Sequence, residues 1–283
     1  MSTQVATCYR HPGRETGVRC QRCERPVCPD CMVPAPVGVQ CVDCVRGARS
    51  RVISGRSLLL GRRPYVTYSL IAANVAVWGA GVVLALLAGS AAGIAGGGSL
   101  AGIGGLWGPG VAAGQWWRLF TAGFLHSGLL HLGFNMAALF IFGPMLELRL
   151  GRPRFTAVYL ASLLAGSLGA LLVSPGQLTV GASGAIFGLL GAIIVGQRAS
   201  GISARASGMI PLLIINLVFT VAVPGISIGG HLGGLAGGVI CGAILFARRL
   251  QGGNSLIGLA ACLVVAGVCF VASLGVAAHP LFG

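Results

Sequence analysis

Seven apolar runs occupy most of the chain beyond residue 65, at roughly 66–88, 119–146, 155–173, 182–197, 208–223, 229–247 and 255–277. About 20 apolar residues, rising about 1.5 Å each as a helix, cross a hydrocarbon core of about 30 Å, and within lipid a helix satisfies its own backbone polar groups. The succession predicts an all-α polytopic membrane protein with seven transmembrane helices. A composition of 55% hydrophobic and only 8% charged residues over 283 positions excludes a soluble globular domain of this size.

Charge sets the expected orientation. All the basic residues are arginine, and the net charge of +14 is concentrated before residue 64 and in short loops. The loop after the second run carries Arg149, Arg152 and Arg154, that after the fourth Arg198 and Arg205, and that after the sixth Arg248 and Arg249, whereas segments 174–180 and 223–227 carry no charge. This alternation follows the positive-inside rule, so the expectation is a multi-pass protein of the cell membrane with a cytoplasmic N-terminus and an outer C-terminus. The same distribution argues against nucleic acid as a partner. Segment 47–64, preceded by Arg46, holds Arg49, Arg51, Arg56, Arg62 and Arg63 with no acid before Pro64, and reads as a basic juxtamembrane linker for anionic headgroups of the bilayer. The first apolar run is too long for a signal-peptide core and follows a cysteine-rich segment, so no signal peptide is expected.

Residues 1–46 read as a separate metal-binding module. Cys8 and His11, Cys20 and Cys23, Cys28 and Cys31, and Cys41 and Cys44 form four pairs with two-residue gaps. Such a gap lets both side chains of a pair reach one metal from a tight turn, and eight thiolate and imidazole ligands make two tetrahedral zinc sites. A disulfide framework would need an oxidising compartment and would leave one of the seven cysteines unpaired. Closed four-ligand sites serve folding rather than catalysis, so two structural zinc ions and a cytoplasmic protein partner for the module are expected, with no cofactor for catalysis. Cys241, Cys262 and Cys269 lie singly in apolar runs and read as packing residues. The module resembles B-box-like and RING-like zinc folds, a resemblance that implies a cross-brace joining Cys8 and His11 to Cys28 and Cys31, and Cys20 and Cys23 to Cys41 and Cys44. The spacing alone leaves the pairing open.

The polar residues of the apolar region carry the chemistry. Gly181-Ala182-Ser183-Gly184 opens the fourth run, and nothing polar follows until Gln197. Runs two, four and six each descend to an arginine at the inner surface, which gives a depth scale. At about 1.5 Å per residue, Ser183 lies roughly 22 Å above Arg198, His231 roughly 25 Å above Arg248, and His131 and Asn135 roughly 27 and 21 Å above Arg149. Three helices thus place these four side chains in one layer below the outer face, with His131 and Asn135 on one face of their helix. Run four is too short to cross, so the segment containing Pro175 is expected to dip inward and line a cavity. Gly230, Gly234 and Gly238 beside His231, with Gly184, Gly188 and Gly191 in run four, allow close backbone approach that brings the imidazole to the Ser183 hydroxyl. Asn74 and Asn216 read as interhelical glue. Glu147 is the one carboxylate after residue 43, at the inner end of run two, and no H-E-x-x-H motif occurs. An acid-completed triad, an aspartyl protease and a proton relay are therefore excluded, and a Ser-His dyad remains.

Taken together, Trp117-Arg118, His126-x4-His131-x3-Asn135, Gly181-Ala182-Ser183-Gly184 and Gly230-His231 with Gly234 and Gly238 are similar to the motifs of the rhomboid intramembrane serine proteases. The resemblance implies a six-helix protease core at 65–250, with 251–283 an appended seventh helix and tail. It implies Ser183 as nucleophile, His231 as general base, His131 and Asn135 lining the oxyanion hole, and Gly181 as the required predecessor of the serine. His126, Trp117 and Arg118 take structural roles, and Phe187 stands where the family often has a tyrosine stacked on the catalytic histidine. The implied substrates are transmembrane segments of other proteins, cut near the outer face. The alternative is an inactive rhomboid-like protein that binds membrane clients, against which the retention of both Ser183 and His231 argues.

Overall fold

The computed structural model describes residues 6–35, 38–47, 63–90, 100–247 and 255–279, and it divides into two compact units, 1–62 and 63–283. Most of the basic linker, the early part of the first long loop, and Arg248 and Arg249 lie outside the described residues.

The first unit is small and has little core of its own. Strand β1 (Thr7–Cys8) pairs antiparallel with β2 (His11–Glu15), and β3 (Met32–Pro34) pairs antiparallel with β4 (Val39–Cys41), which runs into the short helix α1 (Val42–Gly47). What is buried at its centre is Val27 together with Cys8, Cys20, Cys28, Cys31 and Cys41. Arg14 and Asp30 pair across its surface.

The second unit is helical. Helices α2 (Tyr65–Leu87), α6 (Leu129–Leu150), α7 (Arg152–Val173), α10 (Ile228–Phe246) and α11 (Ser255–Ala277) are long and apolar enough to cross a membrane. Two further apolar helices are shorter, α8 (Ser183–Ala199) and α9 (Met209–Ala222). Among the described residues between α2 and α6 lie three one-turn helices, α3 (Leu100–Gly104), α4 (Gly108–Ala112) and α5 (Arg118–Thr121).

The second apolar run departs from expectation. A helix from residue 119 was predicted, but the chain makes α5 and a 3-10 turn (Ala122–Phe124), extends at Leu125, and begins α6 only at Leu129. Gly128, with φ 161° and ψ 169°, is an extended residue that cannot continue a helix. The run is apolar because Leu119 in α5, Ala122 in the 3-10 turn and the extended Leu125 are all buried, and periodicity alone does not distinguish such a broken segment from one long helix.

Glycine sets how closely the central helices meet. A Cβ on Gly234 would collide with the Gly184 carbonyl oxygen, one on Gly238 with that of Gly188, and one on Gly169 with that of Gly229. Helices α7, α8 and α10 are thereby in backbone contact, which a side chain at any of these positions would forbid. Cys241 of α10 and Cys262 of α11 are fully buried in the same core, as expected of packing residues.

Glu147 joins the end of α6 to the start of α2. The carboxylate is 2% exposed and accepts the Val66 and Thr67 backbone N–H groups at 3.0 and 2.8 Å and the Thr67 hydroxyl at 2.8 Å. These are donors that a helix N-terminus leaves without an internal partner, and a negative charge there also complements the helix dipole. The one carboxylate of this unit is thus committed to holding two helix ends together.

Candidate active site

Ser183 is the first residue of α8, and the turn before it is held in place by protein backbone. Leu106 and Thr179 exchange two hydrogen bonds at 2.9 and 2.8 Å, Gly108 N–H donates to the Pro175 carbonyl at 2.8 Å, and Gly181 N–H to the Ala122 carbonyl at 2.9 Å. Gly181 has φ +126°, a conformation that L side chains rarely adopt. A Cβ at this position would also lie 2.7 Å from His131 Nε2 and 3.6 Å from Ser183 Oγ. Glycine before the serine is therefore required twice, by dihedral and by space.

His231 sits in the first turn of α10, a helix capped by the Ser227 hydroxyl, which accepts Gly230 N–H at 3.1 Å. With α8 and α10 in backbone contact, His231 Nε2 reaches Ser183 Oγ at 2.7 Å. Phe187, one turn along α8, lies flat on the imidazole, with ring centroids 4.2 Å apart and planes 19° from parallel. The histidine is 8% exposed. An imidazole lone pair at this distance can take a hydroxyl proton, and a serine at a helix start faces backbone N–H groups without helical partners.

His131 and Asn135 stand on α6, with His131 Nε2 against Gly181. The Ser127 backbone N–H donates to His131 Nδ1 at 3.4 Å, and the Ser127 hydroxyl lies 3.0 Å from the same atom. An Nδ1 that accepts leaves the proton on Nε2, the nitrogen turned toward Gly181. Asn135 is buried and gives one amide hydrogen to the His131 carbonyl at 2.9 Å, which leaves its second amide hydrogen unassigned. His126 packs edge-on to His131 at a centroid distance of 5.0 Å, and neither of its ring nitrogens has a hydrogen-bond partner among the described residues.

The loop motif takes a structural place. Arg118, 5% exposed, ties the loop by donating to Gln115 Oε1 at 2.5 Å, the Gly105 carbonyl at 2.6 Å and the Gly102 carbonyl at 2.8 Å. Trp117 accepts Phe120 and Thr121 N–H through its carbonyl, while its ring stays partly exposed. Among the described residues Asn74 and Asn216 bond within their own helices rather than between helices: each amide donates at 2.8 Å to the carbonyl one turn back, Leu70 and Leu212.

Two partners of the histidines were not foreseen. Ser127 stands four residues before His131, a spacing that could have flagged it. Thr220, whose Oγ1 lies 2.6 Å from His231 Nδ1, is hidden inside an apolar run and carries no local signal.

The cysteine-rich unit gathers its pairs in alternation. Cys8, His11, Cys28 and Cys31 bring their ligand atoms within 4.8 Å of one another, as do Cys20, Cys23, Cys41 and Cys44. His11 Nδ1 lies 3.8, 3.3 and 3.5 Å from the sulfurs of Cys8, Cys28 and Cys31, and Cys23 and Cys41 sulfurs are 3.7 Å apart. The Cys23–Cys41 separation is far beyond a disulfide bond of about 2.05 Å. It matches the roughly 3.8 Å edge of a tetrahedron built on metal–sulfur bonds of about 2.3 Å, and the shorter metal–nitrogen bond of about 2.0–2.1 Å brings the His11 contacts into the same range. Burial works to raise the Cys8 and Cys20 thiols, but backbone N–H donors outweigh it and bring each down to about 6, whereas burial and the neighbouring Cys8 and Cys28 sulfurs push Cys31 up to about 11. Both donor sets fit a metal ion.

Fold and site together define a multi-pass helical membrane protein in which a serine hydroxyl meets a histidine imidazole across two glycine-packed helices. Residues 113–248 match the family model described as the Rhomboid domain. The chain is 41% identical over 160 residues to the Rhomboid protease GluP of Bacillus subtilis, a match covering 53% of this chain and 31% of that protein. It is 42% identical over 135 residues to the Putative rhomboid protease YdcA of the same organism, covering 46% of this chain and 68% of that one. RHOMBOID-like protein 1 of Arabidopsis thaliana is 35% identical over 143 residues, covering 48% and 36%. The chain belongs to the rhomboid family. The match thus spans about a third of GluP and about two thirds of YdcA.

Proposed function

We propose that the protein is an intramembrane serine endopeptidase that cuts transmembrane segments of other membrane proteins through a Ser183-His231 dyad. The observation that carries this reading is the 2.7 Å contact between His231 Nε2 and Ser183 Oγ, with no carboxylate other than Glu147 in the helical unit. The relatives whose names include rhomboid protease support the same chemistry.

His231 takes the Ser183 proton as the oxygen attacks the scissile carbonyl. The oxyanion that forms is met by the Ser183 backbone N–H, by His131 Nε2–H and by the second amide hydrogen of Asn135. Each such donor commonly contributes about 3 kcal/mol to the transition state. The imidazolium then gives its proton to the leaving amine, and water, deprotonated by His231, releases the acyl group from Ser183. Phe187 holds the ring plane while these transfers occur.

The arginine-bearing loops favour a cytoplasmic N-terminus and an outer C-terminus, with a six-helix protease core, an appended seventh helix, and cleavage near the outer face. The N-terminal unit is proposed to hold two structural zinc ions in a B-box-like cross-brace and to bind a cytoplasmic partner. Zinc, when bound, supplies folding free energy to a unit whose core is mostly its own ligands.

The test is cleavage of a single-span reporter in liposomes by wild type, Ser183→Ala and His231→Ala. Cleavage by wild type alone, together with fluorophosphonate labelling lost in Ser183→Ala, is the expected outcome. A wild type that neither cleaves nor labels would overturn the reading in favour of a client-binding role.

A further inference from the structure

Helix α9 presents an anomaly. It is almost wholly apolar, with Val218, Phe219 and Val221 each more than half exposed, yet the one residue of it that is buried is a threonine, Thr220, at 3%. A hydroxyl as the single buried side chain of an otherwise peripheral helix needs a partner that repays its placement.

The hydrogen bonds around it supply one. Thr220 Oγ1 donates to the Asn216 carbonyl at 2.7 Å and lies 2.6 Å from His231 Nδ1. A hydroxyl has one proton, and a carbonyl can only accept. With the Thr220 proton committed to Asn216, the lone pairs of Oγ1 face Nδ1, and the short contact is satisfied when Nδ1 carries hydrogen. A neutral imidazole protonated at Nδ1 has its lone pair at Nε2, the atom 2.7 Å from Ser183 Oγ. The reverse tautomer would point an N–H at Ser183 and could accept nothing from it. Phe187 restrains the plane of the ring but does not distinguish the two orientations related by a half turn about Cβ–Cγ, and a bond at Nδ1 selects one of them.

We propose that Thr220 is a positioning residue of the dyad, holding His231 in the tautomer and rotation that accept the Ser183 proton. This rests on the peptidase reading of Ser183 and His231. In Ser-His-Asp enzymes a buried carboxylate does this work. Here a neutral hydroxyl does it, on a helix α9 joined to α10 by the short turn after Ala222, and the single carboxylate of the unit is spent at Val66 and Thr67.

The test compares wild type, Thr220→Val and Thr220→Ser in reporter cleavage, with kcat and KM measured separately, and reads the His231 tautomer by nitrogen-proton NMR of histidine-labelled wild type, the signal assigned by its loss in His231→Gln. Expected are a kcat about 30-fold lower in Thr220→Val with KM within about twofold, recovery to within about threefold in Thr220→Ser, and an Nδ1-protonated neutral His231. Unchanged kcat in Thr220→Val, no recovery with serine, or an Nε2-protonated neutral ring would each overturn the proposal. The NMR outcome decides even if Thr220→Val fails to fold. A wild type that neither cleaves nor labels with fluorophosphonate would remove the peptidase reading itself, and the proposal with it.

Discussion

Replacing Gly181 by alanine tests whether the site is built as the geometry states. Two costs meet at this residue. Its φ of +126° is rarely open to a residue with a Cβ, and forcing one there costs of order 1–3 kcal/mol. The added methyl would also lie 2.7 Å from His131 Nε2, well inside contact distance, and backbone bonds from Gly181 to Ala122 and from Thr179 to Leu106 hold the turn. His131 is the freer of the two sides, so the ring is expected to be displaced, and its Nε2–H with it. On the proposed role of His131 as an oxyanion donor, its loss lowers kcat by about 10²–10³. Gly181→Ala should therefore fold, melt a few degrees lower, and cleave the reporter at least about a hundredfold more slowly, with reporter binding little changed. The assay is reporter cleavage in liposomes beside thermal unfolding in detergent. Full turnover at unchanged stability would refute the argument, because neither the dihedral nor the His131 contact would then matter.

Three further outcomes are expected. Gly234→Ala puts a Cβ against the Gly184 carbonyl, so α8 and α10 must part; overpacking of this kind costs about 1–3 kcal/mol, and both thermal stability and fluorophosphonate labelling of Ser183 should fall. Glu147→Gln keeps one acceptor where two carboxylate oxygens now serve three donors, and should cost about 1–3 kcal/mol of unfolding free energy in detergent while leaving residual labelling of Ser183 intact. Full-length protein should carry about two zinc ions per chain by elemental analysis, and removing them with a strong chelator should open the N-terminal unit to proteolysis while the helical unit stays resistant.

Much of the site was legible in the sequence because its determinants are local or geometric. The depth scale from the arginines placed Ser183, His131, Asn135 and His231 in one layer, and the first and last of these are in hydrogen-bond contact. The G-x-x-x-G ladder correctly indicated which helices would touch, since small residues at that spacing permit the backbone contact that any side chain would forbid. Alternate pairing of the four two-residue gaps, left open by spacing, is how the cysteine-rich unit brings its ligands together.

What stayed hidden shares one physical cause: in an apolar segment, hydropathy reports the environment of a side chain and not its geometry. Residues 119–125 are as apolar as a spanning helix, yet they form a short helix, a 3-10 turn and an extended residue, because a buried broken segment and a buried helix ask for the same side chains. Asn216 is polar and drew attention, but its side chain merely bonds one turn back along its own helix. Its backbone carbonyl, invisible to any composition argument, is what fixes the direction of the Thr220 hydroxyl. Thr220 itself is mild enough to pass for part of the apolar run, and its meaning depends on lying opposite one imidazole nitrogen across a short turn, a fact of tertiary placement. A hydrogen-bonded serine–histidine pair can therefore be read from sequence through its strong donors and acceptors, whereas the group proposed to set its proton inventory is a hydroxyl that no pattern singles out.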